Sequence, residues 1–248
     1  MENEIWLTSL FNKYLAAPGD TMLSWVGMKA SSPGHPWANY VVMEIAVAAI
    51  IVVVFALLRP LLSMDRPGKF QHIFELIFGF LGEQTDDVVG HRGRPFMAFF
   101  GVLFIFILFA NLIGLIPTFE SPTMFPPVPL GLALATMLYY NLMGIKQQGL
   151  LHYLGHFAGP IWWLAPLMFP IEIISNLARP LSLTVRLYAN MFGGEKVTMA
   201  FMGLIPLIIP IPFLGLHIFV GILQAYVFML LTMVYVSEVL PHEEHATA

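Results

Sequence analysis

Residues 40–58 run for nineteen positions with Glu44 as the only charge, and residues 97–117 and 128–145 carry no charge at all. As helices rising about 1.5 Å per residue, such runs reach roughly 30 Å, the thickness of the hydrocarbon layer of a bilayer. A chain of 248 residues with three of them is an integral membrane protein. Composition agrees: 58% of residues are hydrophobic and 10% charged, where soluble domains run about 45–50% and about 25%. The net charge of -4 leaves no basic stripe for nucleic acid phosphates. The absence of cysteine removes disulfides, thiolate nucleophiles and cysteine metal sites together.

Residues 1–39 mix polar and apolar positions with Pro18, Gly19, Pro33, Gly34 and Pro36, and read as an extramembrane segment of mature protein, without the basic start and short apolar core of a signal peptide. Residues 40–248 form the membrane domain. Within it, residues 70–89 differ from the spans. Phe70, Ile73, Phe74, Ile77, Leu81 and Val88 recur at helical spacing, with Gln71, His72, Glu75, Glu83, Asp86 and Asp87 between them, so this helix lies in the interface. Arg59, Arg66, Lys69, Arg92 and Arg94 flank that segment, whereas residues 118–127 contain no Lys or Arg. The basic side is therefore cytoplasmic, with the N-terminus outside and the C-terminus inside. Residues 97–117 and 128–145 make an antiparallel pair of spans across the proline-rich stretch of Pro122, Pro126, Pro127 and Pro129.

The last third of the chain is apolar yet carries Glu172, Arg179, Arg186, Glu195, Lys196, His217 and Gln224. Within the segment of about 161–203, a helix from about Pro166 to Gly203 would run roughly 57 Å, nearly twice the layer it must fit, which demands strong tilt or a break. Pro170 and Pro180 are placed to kink it. A second helix over about 213–238 returns beside it. The expected architecture is thus all-α: about five membrane-embedded helices plus the interfacial one, the last two a long, tilted hairpin.

Positions seven apart on a helix differ by about 20°, so Glu172, Arg179 and Arg186 line one face, joined by Ser175, Ser182 and Asn190. Arg186 sits in an apolar neighbourhood, residues 181–191, where an arginine costs about 2.5–3.5 kcal/mol on insertion scales. It cannot release its proton, so it attracts, repels or gates. A salt bridge to Glu172 or Glu195, or snorkelling to a surface, is the competing explanation of Arg186. Arg179 has a further one, a position near the cytoplasmic interface. On the second helix His217, Gly221, Gln224 and Tyr235 fall close to one face. Glu195 with His217 makes a titratable pair, and Asn190 with Gln224 can hold water, a polar route that stops near Arg186. A helix–helix hydrogen bond at Gln224 and simple close packing at Gly221 compete with those roles.

Other candidates are weaker. His152 and His156 are four apart but alone, His242, Glu243, Glu244 and His245 form a terminal polar tail, and no phosphate loop, nucleophile elbow or zinc-hydrolase motif is present. No metal or cofactor is expected. A self-contained secondary transporter with a buried Glu/Arg/His site is the alternative reading, though no internal repeat supports it. A haem subunit lacks a suitable pair of histidines on neighbouring spans.

The stretch PIEIISNLARPLSLTVRLYANMFGGE from Pro170 to Glu195 closely resembles the core of subunit a of F-type ATP synthases. NLIGLIP from Asn111, FESPT from Phe119 and HIFVGILQAYVFMLLTMVYVSE from His217 agree in the same order. The resemblance runs from about residue 39 onward. It implies a non-catalytic, proton-translocating stator subunit of a bacterial inner membrane. Arg186 would face a rotor ring of c subunits. Asn190, Glu195, His217 and Gln224 would line an outer half-channel, and Glu172, Ser175 and Ser182 would border a cytoplasmic one. The b-subunit peripheral stalk and the rest of the synthase would be its partners.

Overall fold

The computed structural model describes residues 4–25, 35–62, 68–116, 118–149, 153, 155, 164–204 and 210–240. Arg66, Pro117, His152, His156, Pro206 and the tail with His242, Glu243, Glu244 and His245 lie outside the described residues. Seven helices occur among those described: α1 (Trp6–Trp25), α2 (Asn39–Leu58), α3 (Lys69–Val88), α4 (Met97–Leu112), α5 (Pro127–Gln148), α6 (Ala165–Leu204) and α7 (Pro210–Val239). Among the described residues, four segments are long and apolar enough to cross a bilayer: Asn39–Leu58, His91–Leu115, Pro127–Gln148 and Ile211–Val239. The fifth expected membrane helix, α6, falls short of that description because its Glu172, Arg179, Arg186, Glu195 and Lys196 interrupt the apolar surface.

α2 is apolar apart from Asn39 and Glu44 and leaves Val52, Val53 and Leu57 exposed, as suits a helix facing lipid. α3 turns Leu81 and Thr85 inward while Phe70, Ile73, Leu76 and Phe78 remain exposed. Its end is tied to the next segment by Arg94, which donates to both oxygens of Asp86 at 3.2 and 2.8 Å. That guanidinium holds the Asp86 carboxyl below its ordinary range. α4 passes into a 3-10 turn at Ile113–Leu115. α5 begins at Pro127, where the missing N–H costs nothing, and ends at Gly149, whose φ of 80° suits a residue without a Cβ.

α6 spans 40 residues, about 60 Å at the helical rise. It runs on through Pro170 and Pro180, so neither proline ends it. Its buried side chains Leu183, Leu187 and Met191 recur every fourth residue. Phe228, Met229, Met233 and Val236 of α7 meet Phe100, Leu103, Phe104 and Ile107 of α4 in the same core, with Ala133 and Tyr140 of α5. α6 packs on both α5 and α7, forming the long hairpin on one flank of the bundle. The first segment also contains structure that its sequence pattern did not announce. α1 forms a helix broken at Leu15, and Asn12 bonds the Trp37 backbone in both directions, at 3.0 and 3.3 Å. Ile5, just before it, joins Met43, Val47, Ala110 and Ile113 in a second, smaller core.

Candidate functional site

The face of α6 away from α5 and α7 carries exposed Ile174, Leu177, Leu181 and Val185. Ser175, Ser182, Arg186 and Asn190 are exposed along the same helix, and Glu172 partly so. Among the described residues Arg186 has no ion pair and no hydrogen bond. Neither Glu172 nor Glu195 pairs with it, so the internal salt bridge that competes for Arg186 does not form among them.

Arg179 behaves in the opposite way. Its Nη2 lies 2.6 Å from Glu238 Oε2 at the end of α7, and its guanidinium sits over the Tyr235 ring at 5.0 Å. Of the two arginines expected on that stripe, Arg179 is paired and Arg186 has no ion pair among the described residues.

Beyond Arg186, the groove between α6 and α7 is polar in steps. Asn190 Nδ2 donates to Gln224 Oε1 at 2.7 Å, the helix–helix bond that Gln224 was suited to make. Gln224 is 4% exposed, and its Nε2 has no hydrogen-bond partner among the described residues. One cavity of about 310 Å³ runs from Asn190 past Gly193 and Gly194 to His217. A larger one, about 580 Å³, is lined by His217, Glu195, Thr198, Thr118 and Glu120. His217 therefore stands at the junction of the two. It is 8% exposed and its Nε2 lacks a partner among the described residues. Gly194 lets it in: a Cβ there would come within 3.2 Å of His217 Nδ1. Glu195 and His217 share a cavity without forming an ion pair.

Reasoning from the sequence did not single out Glu120. Its side chain lines the larger cavity together with Glu195. A signal was available, since Glu120 is the one charged residue in the stretch 118–127. Beside it Thr118 holds a φ of 82°, strained for a β-branched residue. Asn111 enters the sequence reading only as the first residue of NLIGLIP. It is the centre of a buried network, donating to Gly221 O at 3.0 Å and accepting from Thr123 Oγ1 at 2.7 Å. Ser121 Oγ lies 2.7 Å from Ala110 O and 2.8 Å from Thr123 Oγ1, and its one hydroxyl proton serves one of these acceptors at a time. Gly221 is then a packing glycine, because a Cβ there would meet Asn111 Cβ at 3.3 Å.

The arrangement is a cation on an exposed helix face with no ion pair among the described residues. A stepped polar groove leads from it to a cavity with two carboxylates and an imidazole.

The sequence model of the ATP synthase A chain family matches residues 41–237. The chain is 58% identical to ATP synthase subunit a of Solibacter usitatus, over 94% of this chain and 100% of that one. It is 47% identical to ATP synthase subunit a of Koribacter versatilis, over 98% and 99% of the two chains. With ATP synthase subunit a of Geobacter sulfurreducens the identity is 44%, covering 69% of this chain and 74% of the relative.

Proposed function

The chain belongs to the ATP synthase A chain family, and from that premise we propose that it carries two offset aqueous half-channels separated by the fixed charge of Arg186. It is a membrane component of the ATP synthase complex, on the stator side, serving ATP synthesis and proton transport. In our reading the partners it touches are the c-subunit ring and the b-subunit peripheral stalk, the ion is H⁺, and the membrane is the bacterial inner membrane.

The observation that carries this is Arg186, exposed on α6 without a counter-ion among the described residues. A cation in an apolar layer needs a partner or water. A rotor carboxylate arriving opposite it supplies the partner, and the positive charge favours the carboxylate's ionised form, so the proton leaves there. Before that carboxylate turns into lipid it must be reprotonated, because a bare charge is costly to bury. Protons reach it by the outer route: Glu120 and Glu195 at the wide cavity, His217 at the junction, then Asn190 and Gln224. Glu172, Ser175 and Ser182 border the inner route. Arg186 also stops a cation from running straight between the routes, which would dissipate about 2.3 kcal/mol per charge per 100 mV.

Orientation follows from charge. The wide cavity adjoins Thr118 and Glu120, at the end of α4 opposite Arg92 and Arg94. Positive-inside reasoning puts that cavity outside, with the N-terminus, and the C-terminus in the cytoplasm. The test is ATP-driven proton pumping in inverted membrane vesicles carrying Arg186→Ala. Pumping is expected to vanish while the complex still assembles; unchanged pumping would refute the assignment.

A further inference from the structure

Two guanidiniums share one face of α6, seven residues apart, about 10.5 Å along the axis. Both are permanent cations. Were both open, a rotor carboxylate would meet two ionising partners in succession, and the second would stand among Glu172, Ser175 and Ser182. Arg186 is exposed, but Arg179 is 18% exposed and held inward by the Glu238 carboxylate at 2.6 Å and the Tyr235 ring at 5.0 Å.

We propose that Glu238 is a positioning residue: the counter-ion that keeps Arg179 from acting as a second stator charge, so that Arg186 alone confronts the ring. The inference rests on the half-channel reading above. Around the ion pair, the ends of α5, α6 and α7 are held by bonds that do not involve it. Tyr140 donates to Asn176 Oδ1, and Asn176 Nδ2 donates to Asn141 Oδ1 at 3.2 Å. Tyr153 donates to Asn141 Oδ1 at 2.5 Å, and Gln148 Nε2 donates to Val239 O at 2.7 Å. Gly144 admits the Tyr153 ring, since a Cβ there would lie 2.5 Å from it. These bonds anchor α6 and α7 separately on α5, so neither helix depends on the salt bridge for its place, and the carboxylate of Glu238 is left with an electrostatic task. With it removed, the Arg179 guanidinium repels protons leaving by the inner route and offers the rotor carboxylate a competing partner.

The experiment measures ATP-driven proton pumping by the whole synthase in inverted vesicles, normalised to assembled complex. Glu238→Gln is expected to lower pumping by about fivefold. Adding Arg179→Gln to it is expected to restore pumping to within about twofold of the parent, because removing the cation removes the need for its counter-ion. Undiminished pumping in Glu238→Gln overturns the proposal. So does a double variant as impaired as the single one, which is the result of a purely structural staple. If Glu238→Gln does not assemble, Arg179→Gln alone decides: pumping retained supports the proposal, pumping lost overturns it. Arg186→Ala in the same vesicles separates the two readings. Its loss of pumping beside an unimpaired Glu238→Gln sinks only this inference, whereas pumping by Arg186→Ala sinks the half-channel itself.

Discussion

The polar side chains inside this bundle fall into two regions that obey different rules. Around Asn111, Ser121 and Thr123 the buried donors and acceptors close on one another and on the carbonyls of Ala110 and Gly221. At Gln224 and His217, buried nitrogens are left without partners among the described residues; His217 lines both cavities, and Gln224 is bonded to Asn190, which lines the smaller one. A closed network locks α4 against α7 and the α4–α5 loop, since in lipid no water competes for its members. An open one has capacity to spare for water or a moving proton. The contrast separates polar residues that hold the membrane fold from those available for transport, a distinction that hydropathy alone does not make.

The largest effect that would sharpen this contrast is on the closed side. Asn111→Leu leaves Thr123 Oγ1 without its acceptor and removes the bond to Gly221, at an expected cost of about 1–3 kcal/mol. Thermal unfolding of the purified complex and the amount of this subunit in membranes should both fall. A variant of normal stability would break the comparison. On the open side, Glu195→Gln or His217→Ala should leave assembly intact and slow proton flux at least about tenfold, about 1.4 kcal/mol of barrier. The pH dependence of flux should change with it. If neither rate nor pH profile moves, the outer route is wrong.

A smaller effect is expected at the seam between the regions. Gly221→Ala brings a methyl to 3.3 Å from Asn111 Cβ, so α4 and α7 must part by a few tenths of an ångström, costing about 1 kcal/mol. A shift in melting temperature of only a few degrees, with flux preserved, is the expected result. The smallest effect lies outside both regions. Because Arg94 depresses the Asp86 carboxyl, the stability that pair contributes is present above the unfolded carboxylate range, near pH 4, and is lost as pH falls through the lower folded value. Asp86→Asn should therefore be slightly less stable than the parent near neutral pH, and the difference should close in acid. A difference that persisted at low pH would point to packing rather than charge.

Much of this was readable before any fold was known. Runs 40–58, 97–117 and 128–145 announce α2, α4 and α5 because burial in lipid requires uninterrupted apolar surface, and the seven-residue spacing of Glu172, Arg179 and Arg186 follows from helical geometry. α1 escaped notice because its polar and apolar residues alternate without a clear stripe and Pro18 lies inside it. Glu120 escaped because its partner in the cavity, Glu195, is far along the chain, and Asn111 because it meets Gly221 across 110 positions.

Insertion into a membrane, the long charged helix and the presence of a permanent cation at 186 are local properties of the chain, set by side-chain chemistry and a fixed rise per residue. Which arginine stays open, which polar atoms are quenched and where the carboxylates meet are not local. They depend on α7 returning to put Glu238 beside Arg179 and Gln224 beside Asn190, and on the α4–α5 loop bringing Glu120 to Glu195. An ion pair or hydrogen bond needs its two atoms within about 4 Å of each other, so only the packed arrangement of distant segments could assign the partners.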